Sequence, residues 1–513
     1  MPIYRRCSGG HWPPLMEAGG LRYKTIAMKL TRLKIVVAVF VLLAFAAGFL
    51  FWHFNHHRQI QKPNYTADIL ITNAQVLTLD SSSDIYNPGW MEIKDGKIIG
   101  LGKGATPNSI SAPKTIDATG ELVMPGLVNT HSHAAMALLR GADDNEAFEP
   151  WLKTISLYEK NITADDVYWG SLLAEDEMIR SGTTAFNDMY FFPENTAEAV
   201  KQAGMRAVLR IPAADDNGRI TFDQNFIAQN QNNPLITFSL APNPYLDYTI
   251  NELKQISDYA LKNNYLIHVH FEEDPQNRAD SLAKDQLTPT QLISEAGFLR
   301  NKLVLAHAAD VNSDEMSLLG QYPNVGVSFN PKSEAKLGPS LTPAAQMLNS
   351  GITVGIGTDG AASSNSLDMF GQMNFAAYGN LKCPPRVDSS NATTTRVEAG
   401  AVSEKFCQNG RTINPEKIIR MATIDGAKIL GLDSKIGSLE TGKQADIIIV
   451  DLQKPGLQPS YDIYSTLVYN ISGDDVTDSI INGRLVMENG RLLTIDEGQL
   501  FKEIKNISDK FKK

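Results

Sequence analysis

Residues 122–133 read LVMPGLVNTHSH, an apolar run that ends in two histidines spaced i and i+2. Successive side chains of a strand point to opposite faces, so His131 and His133 share one side at the end of a buried strand. With LVMPGLVNTH (122–131) as the first, eight candidate strands can be counted. The others are TTAFNDMY (183–190), RAVLRIP (206–212), ITFSLAPN (236–243), LIHVHFEE (266–273), LVLAHAAD (303–310), NVGVSFNP (324–331) and TVGIGTDG (353–360). Buried strands alternating with helical stretches belong to a parallel sheet covered by helices, and eight is the number that closes a (β/α)8, TIM-like barrel. An open doubly wound sheet is the alternative, but no glycine-rich phosphate loop supports it. The expected fold class is therefore α/β.

Outside this body the texture changes to short apolar runs broken by turns. DILITNAQVLTLD (68–80) and WMEIKDGKIIGLG (90–102) precede it, the second with Asp95-Gly96 as a hairpin turn. ADIIIVDL (445–452) and SIINGRLVMENGRLLTID (479–496) follow it, with Asn482-Gly483 and Asn489-Gly490 as turns. Two β-rich pieces at opposite ends can pair into one small composite sandwich. The expected division is 67–121 with 436–513 for that sandwich and 122–435 for the barrel.

A chain of 513 residues, 43% of them hydrophobic, is long enough for both bodies. Its formal net charge of −10 and scattered basic residues offer no stripe to follow a phosphate backbone, which excludes nucleic acid as an expected partner. Cys7, Cys383 and Cys407 are far apart and show no zinc-finger spacing, so no disulfide framework is indicated; a single bridge between the last two stays open.

Residues 1–34 carry seven Lys or Arg: Arg5, Arg6, Arg22, Lys24, Lys29, Arg32 and Lys34. Residues 35–52 then run without a charge, which is just enough to cross a bilayer core of about 30 Å as a helix. The expectation is a transmembrane anchor over 35–54 and a linker over 55–66. The basic flank would leave residues 1–34 cytoplasmic and the catalytic body on the periplasmic or extracellular side. Secretion after signal cleavage is the alternative, because Ala44-Phe45-Ala46 has the small-x-small form. Met28 also looks like a natural start, which would make residues 1–27 a mis-assigned beginning.

Five of the nine histidines fall on strand ends, namely His131, His133, His268, His270 and His307; the others are His11, His53, His56 and His57. A lone strand-end histidine is more often structural than a ligand. As a set they read differently. His131 and His133 can grip one ion together, and a third imidazole and a carboxylate from distant strands complete an N3O site suited to Zn²⁺ or Fe²⁺. One position would stay open for water.

These residues resemble the mononuclear branch of the amidohydrolase superfamily, specifically the methylthioadenosine / S-adenosylhomocysteine deaminases and their triazine-hydrolase relatives. The resemblance covers about residues 67–495. It rests on PGLVNTHSHAAMALLRG (125–141), FEPWL, MIRSGTTAFNDMY (178–190), HVHFEE, LAHAAD, VSFNPKSEAKLG and GIGTDGAASSNSLDMF (355–370). It implies one divalent metal, zinc first and iron second, held by His131, His133, His270 and Asp359. His270 is preferred to His268 because the family spaces ligand and catalytic glutamate as His-x-x-Glu, which leads to Glu273. His268 is then a supporting strand residue.

The resemblance further implies that Asp359 accepts a proton from the attacking water, that His307 hydrogen-bonds the hydroxide, and that Glu273 carries a proton to the ring nitrogen and then to the leaving amine. Ammonia would be released from a purine nucleoside or similar amino-heterocycle of adenosine, methylthioadenosine or S-adenosylhomocysteine type. Glu159 matches the glutamate that holds ribose hydroxyls, and Arg219 is the candidate for gripping an anionic tail. Relatives commonly form dimers or tetramers, which leaves a homo-oligomer open.

Departures from the pattern put the substrate in question. Asn243 and Phe329 stand where histidines are usual, and Glu334 replaces an asparagine. A triazine-type or other chloro- or amino-heterocycle hydrolase of the same superfamily is the alternative reading. A membrane-tethered binding protein with a dead barrel is disfavoured by the intact ligand set and Glu273.

Overall fold

The computed structural model describes residues 65–211, 220–338, 340–379 and 413–511. Each of the eight apolar runs contains a strand of one parallel sheet. In chain order these are Leu127–His133, Thr183–Asp188, Arg206–Ile211, Ile236–Leu240, Leu266–Phe271, Leu303–His307, Val325–Phe329 and Thr353–Ile356. Every strand pairs with its sequence neighbour in parallel. The two residues Asp359–Gly360, just beyond the eighth strand, pair with Ser132 and His133 of the first. The sheet thus curls back to its start, as a TIM-like barrel requires. Its walls are apolar on both faces because helices cover the outside and side chains fill the inside.

A second sheet joins the two chain ends. Ile69–Leu77, Ile85–Lys94, Lys97–Lys103, Lys114–Asp117 and Glu121–Pro125 come from one side; Ile447–Asp451, Val476–Ile481, Arg484–Glu488 and Arg491–Leu492 come from the other. The seam is antiparallel, with Val123 opposite Ile449. Alternation decides what each face meets. Ile447 and Ile449 join Ile71, Met91 and Ile93 in a core of this sheet's own, whereas Ile448 and Val450 point into the large core shared with the barrel. Asp95-Gly96, Asn482-Gly483 and Asn489-Gly490 all have positive φ at both positions, the backbone that two-residue hairpin turns need.

The run 122–131, read from sequence as one strand, is divided between the two sheets. Glu121–Pro125 ends in the composite sheet and Leu127–His133 begins the parallel one. Pro125 has no N–H to continue a ladder. Gly126 turns the chain where a Cβ would collide with the Thr184 side chain. Hydrophobicity alone is blind to this break, since both halves are buried.

The membrane placement needs correction. No helix among the described residues is long and apolar enough to cross a membrane. The anchor expected over 35–54, like the segments 1–34 and 55–64, lies outside the described residues, so a single-pass arrangement is not supported. Cys7, Cys383 and Cys407 also lie outside them.

Candidate active site

Strand ends one, five, six and eight converge. His131 and His133 close the first strand, His268 and His270 sit near the end of the fifth, His307 ends the sixth, and Asp359 follows the eighth. The i, i+2 spacing keeps each histidine pair on one side of its strand, and the His131 ring centroid lies 4.9 Å from those of both His268 and His270. Asp359 and His307 adopt φ values of 58° and 73°, a left-handed backbone that costs a side-chain-bearing residue about 1–3 kcal/mol and collects at functional sites.

Hydrogen-bond partners fix which nitrogens carry protons. His133 Nδ1 lies 2.6 Å from the Met189 carbonyl oxygen, and His270 Nδ1 lies 2.9 Å from Asn243 Oδ1. An oxygen acceptor demands an N–H, so both rings carry the proton on Nδ1 and present a bare Nε2 when neutral. Those two Nε2 atoms face each other at 3.1 Å, and Asp359 Oδ1 lies 3.2 Å from His133 Nε2 and 3.3 Å from His131 Nε2. Asp359 Oδ2 is turned away, accepting hydroxyls of Ser333 and Ser363 at 2.6 Å each. Lone pairs and a carboxylate crowded this closely repel one another unless a cation sits among them. The donor set suits a divalent ion such as zinc. Ligand atoms of His131, His270, His307 and Asp359 also lie within 4.8 Å of one another.

Three of the rings are held neutral, whereas in His133 burial is outweighed by Asp359 and the Met189 carbonyl, which raise its pKa. Burial drives His131 down to about 4 and pushes His268 and His270 well below the usual histidine range, which keeps these rings neutral. Burial would raise Asp359, but the imidazoles of His131 and His133 beside it outweigh burial and hold the carboxylate ionised.

Glu273 lies beside this cluster, its Oε1 3.6 Å from His307 Nε2. Burial pushes its carboxyl up to about 7, against the opposing pull of His307. His307 is itself raised to about 9: burial disfavours its charge, but the carboxylates of Glu273, Glu334 and Asp359 prevail. The neighbouring acids point elsewhere, since Glu272 and Asp310 both pair with Arg278.

Glu159 ends the helix Phe148–Glu159, half-buried, with its carboxyl against the Tyr190 hydroxyl and near enough to His133 to feel its charge. Burial raises its pKa. The Tyr190 ring in turn lies 6.3 Å from that of His133. Arg219 lies outside the described residues.

The three departures from the expected pattern have structural explanations. Asn243 braces His270. Phe329 is fully buried in the core. Glu334 accepts backbone N–H groups of Asn330 (2.9 Å) and Thr342 (2.8 Å) and lies 3.5 Å from His307 Nδ1. Sequence reasoning missed the bracing roles of Asn243, Ser333 and Ser363. Of these only Ser363, four residues after Asp359, left a local signal.

A model of the amidohydrolase family matches residues 122–486, spanning every strand end that carries the cluster. The chain belongs to the amidohydrolase family. It is 35% identical over 453 residues to a 5-methylthioadenosine/S-adenosylhomocysteine deaminase from Syntrophobacter fumaroxidans, covering 86% of this chain and 98% of that one. An adenosine deaminase from Xanthomonas campestris, solved with bound zinc, superposes with a TM-score of 0.76 at 27% identity, covering 88% of this chain and all (100%) of the other. The zinc complex of an atrazine chlorohydrolase from Arthrobacter aurescens shares the fold at a TM-score of 0.72 and 22% identity, over 86% and 100% of the two chains. This amidohydrolase therefore carries the fold and the convergent strand ends of a family of hydrolases that act on carbon–nitrogen bonds.

Proposed function

We propose that this amidohydrolase is a metal-dependent deaminase that hydrolyses the exocyclic amine of a purine nucleoside of adenosine type, releasing ammonia. The observation that carries the reading is the placement of Glu273: its Oε1 lies 3.6 Å from His307 Nε2, three residues beyond His270, and burial pushes the carboxyl up to about 7. The 35% identical deaminase and the zinc-bound adenosine deaminase support the same chemistry.

His131, His133, His270 and Asp359 would hold one divalent ion, zinc by preference. An ion so held would supply Lewis-acid activation of water, lowering its pKa from 15.7 toward about 7. Asp359 Oδ2 is engaged by two serines, so Oδ1 is the oxygen that would help hold the ion, and the carboxylate would take the proton that water loses. His307 Nε2, backed by Glu334 at Nδ1, is aimed to donate to oxygen as charge develops there. Glu273 has the pKa of a group that gives and takes protons with equal ease near neutrality, which suits delivery to the ring nitrogen and then to the departing amine. Glu159, with one flank against Tyr190, can accept hydrogen bonds from a vicinal diol. In this reading the catalytic body begins at Leu127 and runs to about residue 435, and the composite sheet, which includes Glu121–Pro125 and Ile447–Asp451, is its scaffold.

A heterocycle hydrolase of the triazine type is the second reading, favoured by one observation: Asn243, where a histidine is usual, is engaged with His270. Ammonia release from adenosine, methylthioadenosine and S-adenosylhomocysteine, set against chloride or amine release from substituted triazines, decides between them. Turnover confined to the triazines would overturn the nucleoside assignment, and turnover of neither class would overturn both.

A further inference from the structure

His268 stands two residues before His270 on the fifth strand and is fully buried. Its Nε2 lies 2.9 Å from His131 Nδ1, with the two rings nearly perpendicular at 86°. One proton occupies that contact, and it has two possible owners. If it belongs to His268, the remaining proton of a neutral His131 sits on Nε2, the nitrogen aimed at Asp359 Oδ1, and blocks that nitrogen as a ligand. If it belongs to His131, Nε2 is bare and available. The neutral His268 ring then carries its own proton on Nδ1, an atom that is buried without any hydrogen-bond partner. A buried donor left unsatisfied is unfavourable, and an apolar side chain would fill the same space without it.

The other two imidazoles of the cluster obtain their orientation from oxygen, His133 from the Met189 carbonyl and His270 from Asn243. His131 alone leans on another imidazole. We propose that His268 is a positioning residue for the metal centre: it accepts the Nδ1–H of His131 and so fixes the tautomer and ring orientation in which His131 Nε2 meets the ion. This inference rests on the ligand assignment made under Proposed function. It replaces the expectation that His268 merely supports the strand.

Zinc affinity of the full chain, measured by competition with a chromogenic chelator, tests it through two substitutions. His268→Leu fills the space but removes the acceptor, and His268→Gln supplies Oε1 as a substitute for Nε2. Loss of such an outer partner typically weakens metal binding about 10–100-fold. That loss is expected for His268→Leu while the melting temperature of the metal-free protein is kept or raised, and His268→Gln is expected to recover most of the affinity. A purely structural role would instead lower the metal-free melting temperature and would not be rescued by Gln. Wild-type affinity in His268→Leu overturns the proposal, as does a His268→Gln variant no better than Leu. A wild-type chain that holds no zinc overturns the ligand assignment itself, and does so before any variant is compared. If His268→Leu fails to fold, ¹⁵N-histidine spectra of the zinc-loaded wild type decide: a protonated His131 Nδ1 is expected, and an unprotonated one overturns the proposal.

Discussion

Glu273 Oε1 and His307 Nε2 face each other at 3.6 Å, too far for a direct hydrogen bond and close enough for a small molecule's atoms to bridge them. Glu273→Gln keeps the shape of this arrangement and removes its proton traffic. Metal content and KM are expected to survive while kcat falls by about 10² to 10⁴-fold, the usual worth of general acid–base catalysis. A substrate whose leaving group needs no proton, such as chloride, should lose much less. Near-normal deamination by the variant would remove Glu273 from the proton path.

The same carboxyl predicts a pH dependence of stability in the metal-free protein. Burial raises Glu273 from its ordinary 4.5 to about 7, so the folded chain binds a proton that the unfolded chain has already released. Stability from this group is therefore present below pH 4.5 and is lost as pH rises toward 7, at up to about 1.4 kcal/mol per unit. Glu273→Gln should flatten that window in pH-dependent denaturant melts. Parallel curves for the two proteins would contradict the desolvated carboxyl.

His133 and His307 both approach the cluster, and metal analysis separates them. His133 Nε2 lies within 3.2 Å of both Asp359 Oδ1 and His270 Nε2, whereas His307 is engaged by Glu273 and Glu334. His133→Ala and His270→Ala should lose most of the metal, and His307→Ala should keep it with a depressed kcat. The reverse pattern would move the ligand set to His307.

Glu159 is expected to read the sugar. A ribonucleoside should exceed its 2′,3′-dideoxy analogue in kcat/KM by a large factor, because a site built for hydroxyls rejects a substrate that leaves it unpaired. Glu159→Gln should shrink that ratio. Equal kcat/KM for the two substrates in the wild type would favour the heterocycle reading.

Gly126 offers a stability test away from the chemistry. Gly126→Ala should cost about 1–3 kcal/mol through overpacking against Thr184, and Thr184→Ala in the same chain should recover part of it. Additive losses in thermal or denaturant melts would mean that the two positions do not touch.

Much of this was legible before any coordinates. Apolar runs carried the eight strands because a parallel sheet is buried on both faces, and Asn-Gly and Asp-Gly dipeptides marked the hairpins because few other residues tolerate positive φ. Strand-end histidines at i, i+2 left a periodic trace, whereas the choice of His270 over His268 and of Asp359 came from the resemblance to the amidohydrolase superfamily. Apart from Ser363, the bracing contacts left no trace. Asn243 meets His270 and Ser333 meets Asp359 only because distant strand ends arrive at one place. The break at Pro125-Gly126 was hidden by uniform hydrophobicity, although both residues are turn formers.

The seam between Glu121–Pro125 and Ile447–Asp451 also sets a timetable for synthesis. More than three hundred residues separate Val123 from its partner Ile449, and a ribosome adding about 5–20 residues per second needs roughly 15 to 65 s to cover them. Through that interval the edge of the early strands waits without its mate, while the first parallel strands are already emerging one residue downstream. Refolding from denaturant should accordingly be slow and concentration-sensitive, and newly made chains should depend on whatever shields an open β edge until the last hundred residues arrive.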